Sequence, residues 1–227
     1  MGAYYGYQLI NKENKIMVDN FTFEDYFYPE YKKQNGVHCG GLKFLESFYS
    51  HNLYNQGIYK MLQLIGKPII VNCACDYDNK RAFRKMLNFD KKENFKNISF
   101  NIEDLKKFAK EYETENIVIK GYIVCDELEE YISLDYFNEL NKNIKGLIVS
   151  PLALLTRSKV VGQGGGDFDI TYLYDENKDK FEIKNKFFRL YMCNWKNFEV
   201  RYKERLTYDE IKYNDISEKI TLIVKED

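Results

Sequence analysis

The sequence predicts an α+β fold, a mixed or antiparallel sheet flanked by two or three helices, with antiparallel strands in the C-terminal third. Three observations carry that reading. Ile58, Met61, Leu62 and Ile65 recur at i, i+3, i+4 and i+7, the spacing of an amphipathic helix. Ile69 to Cys75 is a short apolar run rich in β-branched residues, which suits a buried strand. From Phe168 onward, short runs of aromatic and β-branched residues alternate with polar turns.

Taken in order, residues 3–10 (AYYGYQLI) and 15–18 (KIMV) flank the polar Asn11 to Asn14 and predict an opening β-hairpin. Residues 21–41 are aromatic and irregular and read as a surface loop. Leu42, Leu45, Phe48 and Tyr49 have helical spacing, and Asn52 to Gly57 separates or kinks that stretch from the next helix. Gly66-Lys67-Pro68 is a helix stop, with glycine at the C-cap and proline just beyond it. After the Ile69 to Cys75 strand, Asn101 caps a helix that carries Glu103 and Asp104 in its first turn and Leu105, Phe108, Ala109 and Tyr112 on its apolar face. Asn116 to Cys125 predicts a strand, Leu134 to Leu140 a short helix, and Gly146 to Leu155 a strand interrupted by Pro151. Phe168 to Tyr174, Phe181 to Cys193, Phe198 to Tyr202 and Ile220 to Val224 read as strands, with Asp175 to Lys180 as a hairpin turn. No repeat or linker divides the chain, so residues 1–227 are expected to form one α+β domain.

Composition narrows the function classes. Hydrophobic residues make up 44% of the 227, enough for a real core, and no window approaches the roughly 20 apolar residues of a membrane span. The N-terminal MGAYYGYQLI lacks the pattern of a secretory signal, and Gly6 stands where a myristoylation motif wants Ser or Thr. Five irregularly spaced cysteines argue against a disulfide framework and for a reducing, cytoplasmic setting. Lys and Arg total 34 against 35 Asp and Glu, so a grip on duplex DNA is not expected and any nucleic-acid contact has to be local.

The stretch KVVGQGGGDF, Lys159 to Phe168, carries the most suggestive chemistry. Its glycines could let backbone N–H groups converge on an anion. The spacing of Gly162, Gly164, Gly165 and Gly166 does not match a Rossmann fingerprint. Asp167 and Phe168 also follow where a Walker loop needs Lys and then Ser or Thr. Two readings stay open: a ligand-binding loop of Thr156, Arg157, Lys159, Gly164, Gly165, Gly166 and Asp167, with the cations and loop amides on a phosphate and Asp167 as a base or the orienter of a basic side chain, or a turn whose glycines supply φ > 0. Asp76 and Asp78, at the end of the predicted buried strand, are secondary candidates for a divalent ion or for a simple turn. His38, Cys39, Cys73 and Cys75 have the wrong spacing for zinc, so neither a metal nor a cofactor is expected. Trp195 reads as a core anchor.

Several of these segments share a pattern. GGLKFLESFYSHNLYNQGIY, the Asp76-Tyr77-Asp78 turn, SPLALLT, GQGGGDF and the Trp195 region follow one another in order. Together they resemble an uncharacterised family of small bacterial and phage-encoded proteins with G-x-K-L-M-E-H-S, G-D-Y-A-D and P-L-P-L-L-T followed by G-R-G-G-G-D-Y. The resemblance raises Glu46, Asp76, Asp78, Thr156 and the Gly164 to Asp167 turn as positions that the family uses. Ser150 stands where the family tends to have His, and Gln163 where it tends to have Arg. The resemblance to phage-encoded proteins, the lack of a complete catalytic set and the wealth of Tyr together lead to the expectation of a non-catalytic interaction protein of phage or mobile-element type. Its partner would be a host or phage protein complex, with or without bound RNA, and its effect an anti-CRISPR-like inhibition of nucleic-acid processing or defence. The alternative is a small enzyme or sensor that holds a phosphate-bearing nucleotide at Gly162 to Asp167.

Overall fold

A computed structural model describes residues 5–11, 16–18, 49–75, 101–157 and 181–225. The fold is α+β. Strand β1 (Tyr5–Ile10) pairs antiparallel with β2 (Ile16–Val18), as the opening pattern requires. On its other side β1 pairs antiparallel with β3 (Ile69–Cys75) over its full length, from Tyr5 opposite Cys75 to Ile10 opposite Ile70. This register brings Tyr7 against Cys73 and Leu9 against Val71, and all four side chains are buried. Burying an aliphatic side chain of this size contributes about 1.5–3 kcal/mol, which fixes the register, since a slip by one would turn the set outward.

Helix α1 (Leu53–Ile65) packs its Ile58, Met61, Leu62 and Ile65 face into the core. The expected separator at Asn52 to Gly57 is instead the helix start. The Asn52 side chain caps it by accepting from the Asn55 N–H at 2.9 Å, and burial of Tyr54 and Asn55 outweighs the roughly 1 kcal/mol cost of an interior glycine. Gly66 ends the helix at φ 62°, as the sequence predicts. Helix α2 (Ile102–Glu115) has the predicted cap, Asn101 accepting from Glu103 N–H at 3.1 Å, and it packs beside α1.

The predicted strand at 116–125 shortens to β4 (Tyr122–Cys125), because Asn116 takes the left-handed C-cap of α2. Ile119 is then held by side chains, its N–H donating to Gln56 Oε1 at 2.7 Å and its carbonyl accepting from Asn138 Nδ2 at 3.0 Å. A 3-10 turn at 126–128 leads into β5 (Glu130–Ser133), which pairs antiparallel with β4 and leads into helix α3 (Leu134–Asn143).

Two predicted strands are corrected. Residues 146–155 form only the two-residue β6 (Leu147–Ile148) and then helix α4 (Pro151–Leu155), because Pro151 sits at the first helical position, where its fixed φ favours the helix. Residues 181–193 form β7 (Phe181–Ile183) and then helix α5 (Phe188–Tyr191). Phe188 and Met192 are the buried side chains there, too far apart for the alternation of a half-buried strand, and Trp195 is buried just beyond.

Strand β8 (Glu199–Lys203) lies between β3 and β4 and joins them antiparallel into one sheet, while β9 (Asn214–Asp215) runs parallel to β5. The sheet order is β2-β1-β3-β8-β4-β5-β9. Gly121 is where β4 meets β8 most closely: at φ 102°, a Cβ there would fall 2.5 Å from the Lys203 carbonyl oxygen. A second, antiparallel sheet has the order β6-β10-β7, with β10 (Leu222–Val224) in its centre. A continuous cluster of buried apolar residues lines both sheets and includes Leu9, Val71, Ile123, Leu154, Trp195, Val200 and Ile223.

Candidate functional site

The most polar part of this core lies where β1, β3, α1 and α4 meet. The Tyr7 hydroxyl donates to Asn55 Oδ1 at 2.9 Å and lies 3.1 Å from Ser150 Oγ, which is also 3.1 Å from the Tyr59 hydroxyl. Asn55 Nδ2 donates to the Tyr49 carbonyl and to Asn52 Oδ1, both at 2.9 Å. The Tyr54 hydroxyl accepts from the Tyr7 N–H at 3.1 Å, and its ring stacks on that of Tyr7 with centroids 5.6 Å apart. Burial pushes the Tyr7 and Tyr59 hydroxyls well above the usual tyrosine pKa, so both stay neutral at physiological pH. Ser150 is thus set between two phenols that cannot take its proton, whereas an activated serine needs a base.

Of the sequence-predicted site residues, Thr156 and Arg157 are described. Thr156 is buried, its Oγ1 donating to the Leu152 carbonyl at 2.7 Å and its own carbonyl accepting from Cys73 N–H at 3.0 Å. Its hydroxyl therefore caps the end of α4. Arg157 is 0% exposed, among the largest fully buried side chains, and not at the solvent edge of a loop. It forms a parallel bridge with Cys73. Chain leading toward Asp76 and Asp78 and chain leading toward the glycine stretch thus run side by side, in the same direction, where the described residues stop at Cys75 and at Arg157. Asp76, Asp78, Glu46, Lys159, Gly164, Gly165, Gly166 and Asp167 lie outside the described residues. So do the predicted elements at 21–41, 42–48 and 168–180. β3 is antiparallel to β1 and, at Ile69 and Ile70, to β8, while at Cys73 its neighbour is Arg157, in parallel.

Cys73 and Cys125 are buried free thiols, and burial pushes Cys125 up to about 11. The Cys125 thiol is therefore not poised to react at neutral pH. Among the described residues no group of three His, Cys, Asp or Glu side chains could hold a metal ion. His51 has its ring Nδ1 3.0 Å from Ser50 Oγ, and burial lowers its pKa.

Away from the core, the sequence gives little warning of an ionic clamp around Arg201. Its guanidinium donates to Asp126 in a fork, Nε to Oδ2 at 2.6 Å and Nη2 to Oδ1 at 2.7 Å, and also to Glu210 Oε1. Lys203 Nζ adds a contact to Glu210 at 3.2 Å. Glu210 in turn accepts from the Thr207 N–H at 2.6 Å, while its own N–H reaches Thr207 Oγ1 at 3.3 Å. This reciprocal cap holds the 3-10 turn at 210–212 against β8. Tyr208 and Ile211 project from that segment, 79% and 63% exposed, with Lys212 Nζ 4.1 Å from the Tyr208 ring centroid. The Thr-x-x-Glu spacing at 207–210 is the one sequence signal that could have located it.

No family model matches the chain, and neither the curated proteins nor the solved structures searched contain a match to it.

Proposed function

We propose that this chain is a non-catalytic binding protein of phage or mobile-element type. Its target is a host complex for nucleic-acid processing or defence, and it inhibits that complex by occupying it, as an anti-CRISPR inhibitor would. The observation that carries this is the clamped turn that presents Tyr208 and Ile211. Tyrosine anchors dominate interface energetics, and a turn already held by Arg201, Asp126 and Glu210 loses little entropy when it docks. The closed hydroxyl cluster supports the same reading, because Ser150 has neutral phenols beside it where a hydrolytic nucleophile would need a base.

The test is affinity capture from host extract with the full chain and with a Tyr208→Ala, Ile211→Ser variant. A nuclease or defence complex should be retained by the parent and weakened about 30-fold or more by the double change. If no such complex is retained, or the variant retains it equally, the proposal fails.

A second reading is a phosphate-bearing nucleotide bound at Gly162 to Asp167. It is favoured by the Cys73–Arg157 bridge, which starts both candidate segments from one place. A nucleotide at 100 times its Kd would add about 2.7 kcal/mol of stability. No thermal shift with any nucleotide, with or without Mg²⁺, would remove this reading.

A further inference from the structure

We propose that residues 183–198 form a contact site for single-stranded nucleic acid. This deepens the binding reading above and rests on it for its biological setting, but its argument comes from its own residues.

From Ile183 to Phe198 there is no Asp or Glu, while Lys184, Lys186, Arg189 and Lys196 supply four cations, in a chain whose net charge is -1. Phe188, Met192 and Trp195 anchor this segment in the core. Between and beside these anchors Lys186, Arg189 and Lys196 are exposed, and Phe187 and Leu190 stand out at 52% and 72%. One further cation lies close by, Lys219, whose Nζ is 5.5 Å from the Tyr191 ring centroid, while Lys184 is paired with Glu182.

An exposed ring beside a cation is the element from which single-strand sites are built. Every base has a π-face that an aromatic side chain can cover, and the flanking phosphate needs a cation nearby. Lys186 Nζ lies 4.9 Å from the Phe187 ring centroid and supplies that pairing. The overall charge balance disfavours a duplex, whose grip comes mainly from many phosphates, whereas a few stacked bases add sequence-tolerant affinity to a small patch. An apolar protein partner fits less well, since the centre of a protein interface is depleted in charge and this ring has a lysine against it.

The experiment is fluorescence anisotropy of a labelled oligo(dT) or oligo(U) of about 16 nucleotides with the full chain, against a duplex of the same length, from about 50 to about 200 mM salt. The single strand should bind, and more tightly than the duplex. Phe187→Ala should weaken it about tenfold while Phe187→Tyr keeps it, and Lys186→Gln with Arg189→Gln should reduce the log–log salt slope by about 1.4. Thermal unfolding of each variant should match the parent, since these side chains point outward. No binding at the lowest salt, equal binding of duplex, or binding indifferent to these variants would overturn the site. Capture of a protein partner through Phe187 without oligonucleotide binding would overturn it too. Oligonucleotide binding without capture of a host complex would instead remove the binding reading and leave the site standing. Capture that survives loss of oligonucleotide binding would do the reverse.

Discussion

Asn55 shows how much one buried amide can organise. It is 0% exposed, accepts from the Tyr7 hydroxyl and donates to the Tyr49 carbonyl and Asn52. Asn55→Leu leaves a buried hydroxyl and a part-buried carbonyl without that partner, so we expect a loss of about 2–4 kcal/mol in urea unfolding. A loss below 1 kcal/mol would mean that water takes over these bonds. Glu210 carries a pH prediction. Burial opposes its ionisation, but Thr207 and Arg201 outweigh burial and hold the carboxyl below its ordinary 4.5. A depressed folded pKa contributes stability that is present above the unfolded value and is lost as pH falls through the folded one. The melting-temperature gap between the parent and Glu210→Gln should therefore be open at pH 7 and close as pH falls below 4.5 and through the folded value; a gap independent of pH would refute the ionic role. Individual residues were unevenly legible in the sequence. Trp195 was readable as a core anchor, because burial is the default for a lone large ring, and it is 0% exposed with its Nε1–H donating to Glu130 at 2.7 Å. Arg157 was not readable. A guanidinium beside a glycine stretch suggests solvent and anions, and its burial comes from a bridge to Cys73, far away in sequence.

Helices were the most legible elements, since their signals are local. Asn52, Gly66 and Asn101 each act within a few residues of the ends they mark. Asn52→Ala should remove about 1 kcal/mol, since the cap bond to the Asn55 N–H is lost, and more if the Asn55 amide is also disturbed. Chemical denaturation of the variant measures this, and an unchanged midpoint would count against the cap. Strands were less legible. Residues 151–155 are apolar enough for a strand, and periodicity cannot separate a short buried helix from a buried strand. Proline at the first position was the available signal. Strands β5 and β9 were missed: Glu130–Ser133 is four residues long and Asn214–Asp215 two, too short to show alternation. Glu130 is buried there because Trp195 and Asn194 donate to it, a partnership that no local window contains.

At the scale of the molecule, a continuous apolar cluster underlies both sheets. Unfolding followed by Trp195 fluorescence and by far-ultraviolet circular dichroism should therefore give coincident transitions, and separated midpoints would show that the sheets melt independently. The α+β class was legible from the order of patterns, but the sheet order was not, because pairing depends on partners distant in the chain. Strand β8 has a consequence for how the molecule comes into being. It is the slat between β3 and β4, so the seven-stranded sheet cannot be completed before residues 199–203 have been synthesised. Until then the nascent chain carries two part-sheets, each with an open edge able to pair with other chains. Closure requires contacts across more than half of the sequence, which makes assembly a late and comparatively slow event. A ribosome stalled upstream of Glu199 would hold a chain inclined to aggregate.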